Sequence, residues 1–180
     1  LAAYAPLGAG IPNCRLDHVV GVLKAYSTCV GEGPFTAEWF GEEAEQLRVA
    51  GAEYGAATGR PRRVGPIDLV ATRYGCRIQG ATEVALTKLD VLSYMKEIPV
   101  CTQYEVNGEK TDDFPFTAVI DEAKPVLTTV PGWGCDISGV RKYEDLPQAA
   151  RDYVEYVEKA IGVHISYVSV GAGRDEIIYR

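Results

Sequence analysis

TEVALTKLD (residues 82–90) marks the point at which the pattern of this 180-residue chain changes from helical to extended. Residues 83–87 form a short run rich in apolar residues, and this run predicts a β-strand. Lys88 and Asp90 follow directly, which places a cation and a carboxylate at the end of the strand. Helical spacing before this strand and strand-like runs after it predict an α+β or mixed α/β fold.

Three helices are predicted in the N-terminal half, before this strand. The first covers residues 17–26, with Asp17 as its N-cap and apolar residues on one helical face. The second covers residues 36–49, and the third begins at Pro66 and runs to Ile78. The glycine-rich segments 27–34 and 56–63 between them are predicted to be loops.

Short strands, a hairpin and one long helix are predicted in the C-terminal half. Asn107-Gly108 is typical of a tight hairpin turn, and Gly162 is a typical end for a helix over residues 147–161. The predicted strands after residue 90 are residues 100–106, 126–130, 164–170 and 176–179. Residues 1–15 are interpreted as a connector from a missing N-terminal part, and residues 16–180 as one domain.

The composition excludes several classes of protein. A hydrophobic fraction of 47% and a charged fraction of 24% are typical of a folded, soluble chain. No apolar run approaches the roughly 20 residues that span a bilayer, and a net charge of −7 argues against nucleic-acid binding. Five cysteines without a CxxC pair favour a reduced, cytoplasmic location. The chain begins at Leu1 rather than at Met, so we interpret it as part of a longer protein.

The segment Ala56-Ala57-Thr58-Gly59-Arg60-Pro61-Arg62-Arg63, called the arginine loop below, concentrates positive charge in an acidic chain. Arginine presents a planar fork that matches carboxylates and phosphates, and glycine allows a ligand to approach the backbone. An anionic ligand is therefore one interpretation. The alternative, which the residues alone leave equally open, is that these arginines pair with acidic side chains on a solvated surface.

Two strand ends carry groups that could bind a base. A carboxylate such as Asp90 can accept hydrogen bonds from guanine, and the stem of Lys88 can pack along the ring. Ser169-Val170-Gly171 offers a hydroxyl and backbone donors at another strand end, although the residues alone favour a plain tight turn. Neither a G-x-G-x-x-G motif nor a Walker motif is present, so nucleotide phosphates would need another cradle.

Several ordered motifs of this chain resemble adenylosuccinate synthetase, over roughly the last two-fifths of that enzyme. They are LKAYST (residues 23–28), VGEGPF (30–35), TGRPRR (58–63), ALTKLDVL (85–92), PGW (131–133) and SVG (169–171). One departure from the family pattern is Cys29, where the family usually has an arginine. Another is the turn Gly171-Ala172-Gly173, which is one residue longer than usual.

The resemblance implies a ligand for each candidate segment. It implies that aspartate and IMP contact Val30, Ala56, Ala57, Thr58, Gly59, Arg60, Pro61 and Arg62. It implies that GTP contacts Arg62, Lys88, Leu89, Asp90, Ser169, Val170 and Gly171. It implies no catalytic residue and no metal ligand in this chain.

The activity implied is a GTP-dependent ligation in purine biosynthesis. GTP would phosphorylate O6 of IMP, and the amine of L-aspartate would then displace the phosphate to form adenylosuccinate. The phosphate loop, the catalytic Asp and His and the Mg²⁺ ligands would lie in the missing N-terminal part, so this chain alone is expected to be inactive. The family also implies a cytoplasmic homodimer. The alternative is a non-catalytic regulatory or assembly module that keeps an anion-binding arginine loop.

Overall fold

The computed structural model describes residues 1–115 and 117–180. The helices are α1 (Ala5–Gly8), α2 (Gly41–Gly51), α3 (Leu69–Gln79), α4 (Thr117–Ile120) and α5 (Gln148–Ile161). Short 3₁₀ helices cover Ala2–Tyr4, Leu89–Tyr94, Tyr143–Asp145 and Arg174–Glu176. The strands are β1 (Val20–Lys24), β2 (Ser27–Cys29), β3 (Arg63–Gly65), β4 (Ile67–Asp68), β5 (Glu83–Thr87), β6 (Glu97–Val106), β7 (Glu109–Thr111), β8 (Lys124–Pro131), β9 (Ile165–Ser169) and β10 (Ile177–Tyr179).

Strand β5, whose predicted bounds are confirmed, lies inside a four-stranded sheet of order β1-β5-β9-β10. It pairs in parallel with β1 on one side and with β9 on the other, and β10 is antiparallel to β9. Val84 and Leu86 alternate with half-buried residues and enter the core, as the two-residue period of a strand requires. Because three neighbouring strands run the same way, their carboxyl ends meet at one edge of the sheet.

A second sheet is built around the ten-residue strand β6, which pairs with β4, β7 and β8. The predicted hairpin is confirmed at the turn between β6 and β7. Asn107 and Gly108 both have positive φ, 53° and 83°, which is the conformation that a two-residue hairpin turn needs. Strand β8 lies antiparallel along most of β6 and contains the predicted strand 126–130.

The long predicted helix is confirmed as α5, and it ends where Gly162 adopts the left-handed conformation. Its apolar side, including Val154 and Val157, is fully buried in the main core. Tyr153 on the same side donates a 2.7 Å hydrogen bond to the carbonyl of Ala25, which ties the helix to the end of β1. Helix α5 therefore supports the sheet edge at which the candidate ligand residues lie.

The predicted first helix, residues 17–26, is wrong, because residues 20–24 form strand β1. The apolar residues of this segment match a helical face, but β5 satisfies its backbone groups through sheet pairing from Val20 to Lys24. Val22 is 77% exposed, whereas Ala25 and Tyr26 just beyond the strand are buried. Tertiary pairing therefore overrides the local period.

The next two helices exist but begin later than predicted. Helix α2 begins at Gly41 rather than at Thr36, because Trp39 donates its backbone N–H to Val64 and holds the preceding segment against β3. Helix α3 begins at Leu69 rather than at Pro66, because Ile67 and Asp68 first pair with β6 as β4. The N-terminal half thus contains strands as well as helices, which corrects the predicted layout.

The mixed α/β class itself is confirmed. Residues 1–15 were predicted to be a connector, and they include the 3₁₀ turn Ala2–Tyr4 and the short helix α1. The backbone N–H of Ala2 also donates to the side chain of Gln79, at 3.1 Å. The division between a connector and one domain over residues 16–180 stays a prediction.

Candidate functional site

Two candidate segments converge at the carboxyl edge of the central sheet. Lys88 and Asp90 follow β5. Ser169 is the last residue of β9, and Val170 and Gly171 follow it. Leu86 lies opposite Val168 in the parallel pair, so the two strands end side by side. The carboxyl edge of parallel strands is a usual place for ligand sites in α/β proteins. The fold therefore brings both base-binding candidates together.

Glu53, which the sequence interpretation missed, connects this edge to the arginine loop. Its side chain is fully buried, and both of its carboxylate oxygens are occupied. One oxygen, Oε2, accepts a 2.8 Å bond from Nη1 of Arg62. The other, Oε1, accepts bonds from Nζ of Lys24 at 2.9 Å, Nζ of Lys88 at 3.0 Å and the hydroxyl of Tyr26 at 2.6 Å. One carboxylate thus joins β1, the loop before β3 and the end of β5.

The environment of Glu53 keeps it ionised. Burial alone would raise the pKa of the carboxyl, but the hydrogen bonds from Tyr26, Lys24 and Lys88 outweigh burial and lower the pKa to about 2. The same contact acts in the other direction on Tyr26, whose pKa is raised by burial and by its bond to Glu53. Three cations surround one anion, so the Glu53 cluster (Lys24, Tyr26, Glu53, Arg62 and Lys88) carries a net charge of +2.

The three arginines of the loop have different surroundings. Arg60 is exposed and makes no ion pair with any acidic side chain in residues 1–115 and 117–180. Arg62 is half-buried on Glu53, and its Nε is buried without a hydrogen-bond partner among the described residues. Arg63 is fully occupied by protein partners. Among the described residues, Arg62 and Arg63 therefore pair with acidic side chains and Arg60 does not, and the carboxylate that binds Arg62 is buried rather than on a solvated surface.

Arg63 holds the segment that contains Val30. Its Nε and Nη2 bind the carboxylate of Glu38, and its Nη1 donates to the carbonyls of Gly31 at 2.8 Å and Gly33 at 2.6 Å. Val30 itself is 80% exposed and lies just beyond β2, which pairs with β3. The hydrogen bonds of Arg63 therefore hold the segment that contains Val30 next to the end of the arginine loop.

The arginine loop is a closed turn with an exposed tip. Tyr54 bridges to Pro61, the N–H of Gly55 donates to the carbonyl of Arg60, and the N–H of Gly59 donates to the carbonyl of Gly55, both at 2.8 Å. Gly59 has a φ of 65°, which favours glycine. Residues 56–60 are all exposed, so their backbone and side chains face away from the core.

Asp90 presents an unsatisfied carboxylate at the same edge. Its Oδ1 is buried and has no hydrogen-bond partner within the part of the chain that the structure describes. Burial raises the pKa of the carboxyl, and Lys88 partly opposes this effect. A buried acceptor without a donor is costly, so this oxygen is suited to a ligand that brings N–H groups. Leu89 beside it is fully buried, backbone included, and exposes no surface to a ligand in this structure.

The segment after β9 is shaped by Glu176. The hydroxyl of Ser169 donates to the carbonyl of Gly171 at 2.6 Å, and the N–H of Gly173 donates to Glu176. A β-carbon on Gly171 would overlap the carboxylate of Glu176, so a larger residue there would displace the Glu176 side chain. Val170, like Leu89, is fully buried, backbone included.

The motifs of the arginine loop and of both strand ends are thus parts of one site, and the sequence model of the adenylosuccinate synthetase family matches residues 1–178. The chain belongs to the adenylosuccinate synthetase family. It is 50% identical to the adenylosuccinate synthetase of Bifidobacterium adolescentis and 47% identical to that of Frankia alni, each over 98% of this chain. It spans 42% of the length of those relatives.

A solved member of the adenylosuccinate synthetase family has the same fold. The fully ligated adenylosuccinate synthetase from Plasmodium falciparum superposes with a TM-score of 0.87 at 36% identity. The match covers 92% of this chain and 40% of that structure. The likeness extends the family assignment from the sequence motifs to the arrangement of helices and strands.

The described residues contain neither a metal-binding cluster nor a membrane-spanning helix. Over residues 1–115 and 117–180, no three His, Cys, Asp or Glu side chains are placed to bind a metal ion together. None of the helices in those ranges is long and apolar enough to cross a membrane.

The functional residues that sequence reasoning missed are Glu53 and Lys24, together with Glu38 as the partner of Arg63. Glu53 stands three residues before Ala56, and its glutamate type alone is no signal among 25 acidic residues. Lys24 lies within LKAYST, one of the motifs that carried the family resemblance, but it was not singled out. Arg62 is nine residues from Glu53, but the Lys24–Glu53, Glu53–Lys88 and Glu38–Arg63 pairs join residues 25 to 35 positions apart, which no local pattern reveals.

Proposed function

We propose that this chain is the ligand-binding part of a GTP-dependent ligase that joins IMP and L-aspartate to form adenylosuccinate. The observation that carries the proposal is the convergence of the arginine loop and the Lys88–Asp90 segment on one buried carboxylate, Glu53. A site for a small dianion and a site for a base are thereby held next to each other. Family membership supports the same ligands.

In this proposal the arginine loop, Ala56 to Arg62, binds L-aspartate. The exposed guanidinium of Arg60 is free to make a bidentate contact with a carboxylate and to reach the IMP ribose. Val30 lies beside IMP, held in place by the contacts of Arg63. These contacts orient the amine of aspartate toward the base, and orientation alone contributes a large part of such a rate enhancement.

The guanine of GTP binds between the ends of β5 and β9. Asp90 accepts hydrogen bonds from the base, Lys88 packs along it, and the segments that contain Leu89 and Ser169-Val170-Gly171 flank it. Arg62 contributes positive charge toward GTP while it stays paired with Glu53. GTP then phosphorylates O6 of IMP, and the aspartate amine displaces the phosphate.

The remaining parts of the reaction are assigned to residues outside this chain. They are the phosphate loop, a catalytic Asp and His and the ligands of Mg²⁺, whose role is to neutralise charge on the transferred phosphoryl group. The working protein in this proposal is a cytoplasmic homodimer. Residues 1–180 alone bind ligands but do not catalyse the formation of adenylosuccinate.

The proposal is tested by assaying adenylosuccinate formation from IMP, GTP and L-aspartate. The full-length protein that contains this chain is expected to form the product, and residues 1–180 alone are not. If the full-length protein binds anions but forms no adenylosuccinate, a non-catalytic regulatory or assembly module replaces this proposal. Product formation by residues 1–180 alone would overturn the assignment of catalysis to residues elsewhere.

Replacing Asp90 tests the guanine assignment directly. In the full-length protein Asp90→Ala is expected to raise the KM for GTP about 30-fold, because a hydrogen bond to a charged group contributes about 2 kcal/mol. The KM values for IMP and aspartate should change less than about threefold. The matched control is Asp112→Ala, which removes an exposed carboxylate that pairs with Arg73. An unchanged KM for GTP would remove Asp90 from the guanine site.

A further inference from the structure

We propose that Glu53 is a positioning residue that couples the arginine loop to the guanine segment, so that a ligand at one strengthens binding at the other. The inference rests on the proposed function and adds to it a link between two of its sites. Glu53 touches neither ligand in this proposal. It acts through Arg62 on one side and Lys88 on the other.

The two oxygens of Glu53 serve different segments. Oε2 is bound by Arg62, and Oε1 is bound by Lys88, Lys24 and Tyr26. The carboxylate is a single planar group, so a shift that improves its contact with Arg62 also moves the oxygen that holds Lys88. No other carboxylate in the described ranges 1–115 and 117–180 pairs with cations from both segments.

The backbone around Glu53 makes this link stiff. Its N–H donates to the carbonyl of Arg48 at the end of α2, and its own carbonyl accepts the N–H of Arg62, both at 2.9 Å. Arg62 is therefore bound to Glu53 through main chain and side chain at once. On the other side, Nζ of Lys88 also donates to the carbonyl of Gly51 at 2.6 Å. With its side chain wholly enclosed, Glu53 has little freedom to release one partner and keep the other.

Lys88 has a constrained backbone as well. Its φ of 59° lies in the left-handed region, which is uncommon for a residue with a side chain, and this conformation begins the 3₁₀ turn that carries Asp90. The contacts of Lys88 with Glu53 and Gly51 therefore help to hold in place the carboxylate of Asp90, which binds guanine in the proposed function. A change at Arg62 reaches Asp90 through Glu53 and Lys88.

The expected coupling is positive. The Glu53 cluster has three cations for one anion, so Arg62 can attract a ligand anion without abandoning Glu53. An anionic ligand on Arg62 orders the cluster, and the base then binds to a Lys88 and an Asp90 that are already ordered. A second ligand that meets an ordered site loses less conformational entropy, which is favourable cooperativity without a large movement.

The test is a binding titration on the full-length protein with GDP, which carries the guanine base but no transferable phosphoryl group. The Kd for GDP is measured in saturating IMP, with and without saturating L-aspartate. For the unchanged protein, aspartate is expected to lower the Kd about 5-fold or more, the usual lower range of coupling between sites. The measured quantity is the ratio of the Kd for GDP without aspartate to the Kd with aspartate. In Glu53→Gln this ratio should fall to about 1, because the neutral amide no longer holds Arg62 and Lys88 together.

Two further variants separate coupling from a general structural role. Glu53→Asp keeps the charge but is one methylene shorter, so it cannot span both partners, and its ratio should lie between those of the unchanged protein and Glu53→Gln. It also decides the matter if Glu53→Gln does not fold. Glu42→Gln is the matched control, because it removes an exposed carboxylate in the first turn of α2 that makes no ion pair within residues 1–115 and 117–180. Its ratio should equal that of the unchanged protein.

The outcomes for the two proposals differ. If the unchanged protein forms adenylosuccinate and the Glu53 variants keep its ratio of Kd values, Glu53 has only a structural role and the inference is overturned. A lower melting temperature with an unchanged ratio has the same meaning. If the unchanged protein forms no adenylosuccinate, the proposed function fails first, and the inference falls with it.

Discussion

Replacing Arg60 with leucine is expected to raise the KM for aspartate about 100-fold in the full-length protein. Arg60 is the arginine of the loop that pairs with no carboxylate among residues 1–115 and 117–180, so its fork is available to a ligand. A charge-assisted bidentate contact contributes about 3 kcal/mol, and each 1.4 kcal/mol is a factor of ten. Because leucine at this exposed position leaves no buried charge without a partner, the loss should appear in substrate binding rather than in stability.

The measurement is initial velocity against aspartate concentration at saturating IMP and GTP. Arg77→Leu is a suitable control, since Arg77 is an exposed arginine on α3, away from the loop. The control should keep the KM of the unchanged protein. An Arg60→Leu protein with unaltered aspartate saturation would mean that the loop is an ordinary charged surface. Arg62→Leu would be harder to interpret, because it also removes a partner of the buried Glu53.

Replacing Gly65 with alanine is expected to lower the free energy of unfolding by about 3 kcal/mol, at the upper end of the range for inserting a methyl group into a packed interior. Gly65 is buried in β3, and a β-carbon there would overlap the backbone carbonyl of Ala37, whose carbon lies 3.0 Å from the new atom. Backbone cannot rotate away as a side chain can. The strand must shift, and with it Arg62 and Arg63.

Denaturant unfolding of the full-length protein measures this effect. Gly75→Ala is the matched control, because a β-carbon at Gly75 meets no atom within 4 Å and alanine favours the helical conformation of α3. The control should be neutral or more stable by about 0.5 to 1 kcal/mol. Equal stability of Gly65→Ala and the unchanged protein would show that β3 tolerates the shift, contrary to the close packing described above.

Local patterns were sufficient where the decisive contacts are close in sequence. The strand 83–87, the turn at Asn107-Gly108 and the helix ended by Gly162 were all predicted correctly. Each depends on residues a few positions apart: an apolar run, a pair of residues that accept positive φ, and a glycine after a periodic helix. The segment 17–26 was wrong for the converse reason, because its strand exists only through pairing with β5, about 60 residues later.

The sequence by itself determined the family, through ordered motifs, and the chemistry that its residue types allow: guanidinium groups for an anion and a carboxylate at a strand end for a base. It could not distinguish the three arginines, because Arg60, Arg62 and Arg63 are the same residue type within one short segment. The tertiary structure decided that question by placing Glu53 against Arg62 and Glu38 against Arg63 and leaving Arg60 exposed. The physical reason is that a buried carboxylate must be compensated by whichever cations the fold brings within about 3 Å, and here these come from positions 24, 62 and 88.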